Sequence, residues 1–144
     1  MMSKVDEAVE CFCNGAACSQ AVLATYGERF GLAREHALKL ASGFAGGMRL
    51  GETCGAVTGA FMVLGLKYAK GNCDKLDGRT DVYAASLDFV ARFGQRNNVV
   101  VCKDLLGCDI STPEGLQKAT KEGLFRTLCP KLVRDAAEIL EQIL

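Results

Sequence analysis

One uncharged, glycine-rich segment constrains the fold of this chain more than any other feature. It runs from Thr53 to Leu66 and contains no acidic or basic residue. The segment is too long for a single strand and its apolar residues do not alternate with polar ones, so we predict a buried helix extending to about Lys70. It is also too short to span a bilayer, which needs roughly 20 apolar residues. We therefore expect it at the centre of a soluble fold.

The rest of the chain also carries helical signals. Ser3, followed by Asp6, is typical of a helix N-terminus, and Pro113 suits the first position of a short helix. Apolar periodicity predicts further helices at about 18–30, 33–42, 80–97, 102–106 and 130–143. Val99 to Val101 is β-branched but has no convincing partner strand, so we interpret it as an extended lead into the next helix. The prediction is an all-α domain with more than half of its residues helical and no sheet of three or more strands.

Length and charge limit the architecture and the classes of partner. The chain has 144 residues, which predicts one compact domain over residues 1–144 with helices packed at varied angles. Lys plus Arg and Asp plus Glu number 17 each, so nothing points to nucleic acid or to an anionic membrane. The N-terminal residues include acids where a signal peptide needs an apolar stretch. We expect a cytoplasmic protein.

The cysteine content is unusual for such a protein. There are eight cysteines, at positions 11, 13, 18, 54, 73, 102, 108 and 129. A small secreted protein would use them as a disulfide framework. In a reducing compartment the same number favours metal binding, redox chemistry or buried free thiols.

Four of these cysteines stand where a helix is predicted to begin: Cys18, Cys54, Cys102 and Cys129. Each also heads an apolar helical face, so we expect all four thiols to point into the core. A helix N-terminus presents free N–H groups and a partial positive charge, which favour thiolate over thiol. Thiolate is both the nucleophile of disulfide exchange and a ligand for zinc or iron–sulfur centres.

Small residues follow Cys54 along its predicted helix. Gly55 and Gly59 lie on one face, and Gly65 follows further on. Glycine inside a helix costs about 0.5–1 kcal/mol relative to alanine. Its repeated use there indicates a packing or site requirement, in which another backbone approaches closely.

The chain resembles the C_GCAxxG_C_C family of redox-active proteins, named for four spaced cysteines and a Cys-Gly-Ala-x-x-Gly motif. The motif here is Cys54-Gly55-Ala56-Val57-Thr58-Gly59. The resemblance covers nearly the whole chain, through the segments 14–23, 45–66, 102–107 and 129–133. It implies a small helical protein with a redox or metal role. A similar cysteine region occurs beside electron-transfer modules, which adds weight to an iron–sulfur role.

Three hypotheses stay open. In the first, Cys18, Cys54, Cys102 and Cys129 hold an iron–sulfur cluster or another thiolate-bound metal for electron transfer with a partner protein. In the second, no cofactor is needed, Cys54 is the attacking thiolate and Cys18 the resolving partner. In the third, the cysteines are core residues of a non-catalytic helical homodimer that packs through the glycine face. We expect a homodimer, and a partner that carries electrons or thiols.

The remaining candidates carry weaker signals. Cys11 and Cys13 form a Cys-x-Cys pair, either a second dithiol or one packed and one exposed sulfur. Cys73 and Cys108 lie in polar loops and are expected at the surface. Gly46-Gly47 would form an anion nest or, as we prefer, pack tightly. Near Cys54, Arg49 and Glu52 would tune its charge or lie on the surface.

Overall fold

Helices account for almost all regular structure in the chain. A computed structural model describes residues 2–144, of which 74% are helical, and it contains no strand within that range. The nine α-helices are α1 (Lys4–Cys13), α2 (Cys18–Gly27), α3 (Arg34–Ala41), α4 (Gly55–Tyr68), α5 (Thr80–Asn97), α6 (Cys102–Leu106), α7 (Pro113–Lys121), α8 (Leu124–Thr127) and α9 (Cys129–Ile143). Two 3₁₀ turns, Glu28–Phe30 and Leu76–Gly78, and a tight turn at Gly47–Gly51 complete the order. The all-α prediction is confirmed.

Helix α2 lies at the centre of the fold. It packs against α1, α3, α4 and α9, which bury it on nearly all sides. Because α2 carries no charged residue, this burial leaves no charge without solvent. Its two polar side chains near the start are satisfied by α3, where the Ser19 hydroxyl donates to the Ala41 carbonyl (2.7 Å) and the Gln20 amide to the Leu38 carbonyl (2.8 Å). These bonds hold the first turn of α2 in place, which matters because Cys18 begins that turn.

The uncharged segment forms α4, as predicted, and lies directly on α2. A Cβ atom at Gly59 would lie 2.8 Å from the Ser19 carbonyl oxygen, and one at Gly55 would collide with the Cys18 sulfur. The two glycines therefore allow α4 to touch the start of α2. Gly65 faces open space, and we have no physical account of its presence.

Helices α5 and α9 close the core on the other side of α4. The amphipathic α9 buries seven of its residues: Leu132, Val133, Asp135, Ala136, Ala137, Ile139 and Leu140. The Asp135 carboxylate is buried but paired, with Arg96 of α5 at 3.2 Å and Lys131 at 2.6 Å. Phe89 of α5 meets Phe61 of α4 edge to face, with ring centroids 6.3 Å apart.

The segment Val99 to Val101 forms no strand and leads into α6 with extended backbone, as predicted, although one of its residues does pair. Val101 forms an isolated antiparallel bridge with Thr53. The Cys54 N–H donates to the Val100 carbonyl (2.8 Å), and the Cys102 N–H donates to the Glu52 carbonyl (2.5 Å). The partner is too short to show a strand pattern. The bridge holds the starts of α4 and α6 side by side.

Other local predictions differ from the structure only in detail. Ser3 caps α1 by accepting from the Asp6 N–H (3.1 Å), and α9 begins at Cys129, one residue earlier than predicted. Helix α8 was not predicted. No helix in the described range is long and apolar enough to cross a membrane. The homodimer stays a prediction, although the Gly55–Gly59 face is already covered by α2 of the same chain.

Candidate redox site

The four predicted cysteines each stand at the start of a helix and meet at one cavity. Cys18, Cys102 and Cys129 are the first residues of α2, α6 and α9, and Cys54 immediately precedes α4. All four line a cavity of about 160 Å³. The other lining residues are mostly apolar: Phe12, Ala17, Ala45, Gly46, Arg49, Gly55, Leu105, Leu106, Ile110, Phe125 and Leu132.

Cys18 is the cysteine best prepared to ionise. A hydrogen bond from the Cys54 thiol lowers the pKa of Cys18 to about 7, with further help from the backbone N–H groups of Gly46 and Ser19, while burial acts in the opposite direction. These donors come from three segments of the chain. As a residue Cys18 is partly exposed, whereas Cys54 is buried.

Cys54 shows the opposite behaviour. Its pKa lies well above the ordinary cysteine value because its proton is held in the hydrogen bond to Cys18, and because burial and the Cys18 charge disfavour a second thiolate. The residue is 5% exposed. Of the two, Cys18 is therefore the one that ionises first, and Cys54 keeps its proton.

Cys102 and Cys129 are thiols at neutral pH. Burial raises the pKa of Cys102 to about 11 and that of Cys129 to about 12, and the Cys18 charge adds to both shifts. Their helix N-termini do not overcome the loss of solvation. The expectation of a thiolate at every helix start is therefore wrong for these two and for Cys54.

The four cavity cysteines form no site for a single metal ion. Within residues 2–144, no group of three or more His, Cys, Asp or Glu side chains is arranged to hold a metal ion. The four cysteines line one cavity, and the iron–sulfur cluster stays a prediction.

A left-handed segment forms part of the cavity wall. We call residues 46–51 the strap. Gly46, Gly47, Met48 and Arg49 are four consecutive residues with φ between 59° and 66°. Gly46 and Gly47 pack tightly, as preferred from the sequence, because a Cβ atom at Gly47 would collide with the Glu52 backbone and one at Gly46 with the Ile110 side chain. The Gly46 N–H also helps to lower the pKa of Cys18, and the anion nest stays a prediction.

The two charged residues near Cys54 in the sequence, Arg49 and Glu52, have different contacts. Arg49 lines the cavity, whereas Glu52 pairs with Lys103 at 3.7 Å.

The four other cysteines do not line the cavity: Cys11, Cys13, Cys73 and Cys108. Cys13 and Cys73 are exposed, and the other two are partly exposed. All eight cysteines are free thiols in this structure.

Comparison with known proteins agrees with this site. A family model described as "Putative redox-active protein (C_GCAxxG_C_C)" matches residues 16–143, which include all four cavity cysteines. The letters of that description place glycine before cysteine, whereas this chain has Cys54 before Gly55. No curated protein and no solved structure matched the chain. Because the match spans most of the chain and its site, the chain belongs to the C_GCAxxG_C_C family of redox-active proteins.

Proposed function

We propose that this protein is a thiol–disulfide redox protein in which Cys18 attacks and Cys54 resolves. The observation that carries the proposal is that Cys18 and Cys54 line one cavity, with the Cys18 sulfur against Gly55, the residue that follows Cys54. The two thiols are also unequal, because the pKa of Cys18 falls to about 7 and that of Cys54 rises. A disulfide-exchange site needs one thiolate and one thiol close by. This assignment reverses the roles expected from the sequence.

The reaction balances with an external disulfide as oxidant. The Cys18 thiolate attacks one sulfur of the disulfide R–S–S–R, forms a mixed disulfide with that half and releases the other half as a thiolate. Cys54 then attacks the Cys18 sulfur, and the second half leaves as a thiol that takes the Cys54 proton. The protein dithiol is oxidised to a disulfide and R–S–S–R is reduced to two thiols. An external thiol or dithiol returns the protein to its reduced form.

The surroundings of the pair suit this cycle. Cys18 is partly exposed and receives the external disulfide, while Cys54 is buried behind it. Gly55 removes the side chain that would otherwise occupy the position of the Cys18 sulfur.

Trapping the mixed disulfide tests the proposal. The background is a variant in which Cys11, Cys13, Cys73 and Cys108 are replaced by serine, so that surface thiols do not react. With a small disulfide at pH 7, Cys54→Ser should accumulate a mixed disulfide on Cys18, seen by peptide mass spectrometry. Cys18→Ser should react much more slowly, because Cys54 keeps its proton. Faster trapping on Cys54 than on Cys18 would contradict the assignment.

The same protein also tests the hypothesis that the cysteines bind a metal. Protein purified without oxygen is examined by metal analysis and by visible absorbance. The proposal expects protein without bound metal that titrates as a dithiol. Sulfur-to-iron absorption that disappears in Cys18→Ser and Cys102→Ser would instead support a cluster.

A further inference from the structure

The strap holds one positive charge over the redox cavity at an energetic cost. Left-handed backbone is unfavourable for a residue with a side chain. Two such residues, Met48 and Arg49, adopt it here with φ of 59° and 61°. Gly46 has φ of 66°, and a Cβ atom there would lie 2.7 Å from the tip of the Ile110 side chain. Strain of this kind is typical of functional sites.

Among residues 2–144, Arg49 is the one charged residue that lines the cavity. Arg49 is exposed, and its guanidinium lies beside Gly46. Its charge acts to lower the pKa of Cys102 against the larger effect of burial. Arg49 and Cys18 thus line the same cavity.

The Arg49 charge is not used within the chain. Among the described residues, its guanidinium has no salt bridge and no hydrogen bond. Two nearby acidic residues are occupied elsewhere: Glu52 pairs with Lys103, and Asp109 accepts hydrogen bonds from Ser111. The thiolate of Cys18 is stabilised by neutral donors. A free guanidinium remains for a ligand.

From this geometry we infer that the substrate is a small disulfide bearing a carboxylate, which Arg49 binds while Cys18 attacks the nearby sulfur. The inference rests on the proposed function and names its substrate class. Guanidinium matches the planar carboxylate with two parallel hydrogen bonds. A cavity of about 160 Å³ accepts an apolar group of roughly the size of benzene. One short arm of a disulfide therefore fits, with its carboxylate at the strap.

The chemical step is the one described above with R carrying a carboxylate. Cys18 bonds to the sulfur of the bound half, the other half leaves as a thiolate, and Cys54 then displaces the bound half. Arg49 takes no part in electron or proton transfer. It is a specificity-determining residue that raises the local concentration of anionic disulfides near Cys18.

The experiment compares three short disulfides that differ in charge. They are 3,3′-dithiodipropionate, which is anionic, bis(2-hydroxyethyl) disulfide, which is neutral, and cystamine, which is cationic. Each reacts at pH 7.5 with the reduced protein lacking its four surface cysteines, and the second-order rate constants are measured. We expect the anionic disulfide to react about tenfold faster than the neutral one. A small thiolate free in solution would react more slowly with the anionic disulfide than with the neutral one, because like charges repel.

Matched variants assign the preference to Arg49. Arg49→Gln should bring the anionic-to-neutral ratio close to one, whereas Arg49→Lys should keep part of it. Arg126→Gln removes the same charge from an exposed arginine outside the cavity and should leave the ratio as in the parent protein. Using a ratio within each variant cancels general changes in thiol reactivity.

If Arg49→Gln fails to fold, the salt dependence of the reaction in the protein with Arg49 intact is an independent measurement. Added salt should slow the reaction of the anionic disulfide and leave the neutral one nearly unchanged. If all three disulfides react equally and without salt dependence, the inference is overturned while the proposed function stands. If none forms a mixed disulfide on Cys18, the proposed function itself fails.

Discussion

At the scale of single residues, four thiols in similar local positions differ in chemistry. Each stands at a helix start, yet only the pKa of Cys18 is lowered. Cys18 receives the Cys54 thiol and the Gly46 N–H from other parts of the chain, in addition to N–H groups of its own helix start, whereas burial dominates at Cys102 and Cys129. Helix position alone therefore does not determine which cysteine ionises.

Removing the Cys54 donor tests the origin of the shift. In Cys54→Ala, the pKa of Cys18 should rise from about 7 towards the ordinary value of 9.0, because its largest stabilising bond is lost. Cys54→Ser keeps a donor and should leave the pKa lower than in the alanine variant. The pH dependence of alkylation by iodoacetamide measures both values. An unchanged pKa in Cys54→Ala would mean that backbone donors suffice.

At the scale of elements, the contact between α2 and α4 depends on a particular glycine. Gly59 meets the backbone of Ser19, which cannot move without displacing the start of α2. Because Cys18 begins that helix, the glycine links helix packing to the redox pair. Gly65 lies in the same helix but has no neighbour within 4 Å.

The two glycines provide a matched pair of substitutions. Gly59→Ala should lower the free energy of unfolding by about 1–3 kcal/mol, since the added carbon overpacks the helix interface. Gly65→Ala should raise it by about 0.5–1 kcal/mol, because alanine is favoured in a helix and space is available. Urea unfolding followed by circular dichroism measures both. Equal effects at the two positions would show that close packing at Gly59 is unimportant.

At the scale of the whole molecule, burying neutral thiols makes stability depend on alkaline pH. The pKa values of Cys102 and Cys129 are raised from 9.0 to about 11 and about 12. Above pH 9 the unfolded chain loses protons that the folded chain keeps, so these residues destabilise the fold as pH rises towards 11 and 12. Cys18 acts in the opposite sense, and its lowered pKa adds stability as pH rises from about 7 to 9.

Denaturation of the reduced protein at several pH values tests this linkage. The urea midpoint should fall between pH 9 and 11, and the fall should be shallower in a Cys102→Ala, Cys129→Ala double variant. Lysine and tyrosine titrate in both proteins, so the difference between the two curves isolates the thiols. Parallel curves would show that neither thiol is held neutral by the fold.

Local sequence was sufficient for every helix of this protein except the four-residue α8. The Ser3 cap, the Pro113 start and the uncharged α4 follow from hydrogen bonds and apolar spacing within a few residues. Apolar spacing within a few residues also predicted that Cys18 and Cys129 lie at helix starts, as they do. These features depend on neighbours along the chain, which a sequence displays directly.

Tertiary structure alone decided the chemistry of the site. The order of the thiol pKa values depends on burial and on donors such as the Gly46 N–H, which reach Cys18 from a distant part of the chain. The Thr53–Val101 bridge and the left-handed backbone at Arg49 leave no regular pattern in the sequence. Solvation and hydrogen bonding act through space, so the active thiolate is determined only when the helices have packed.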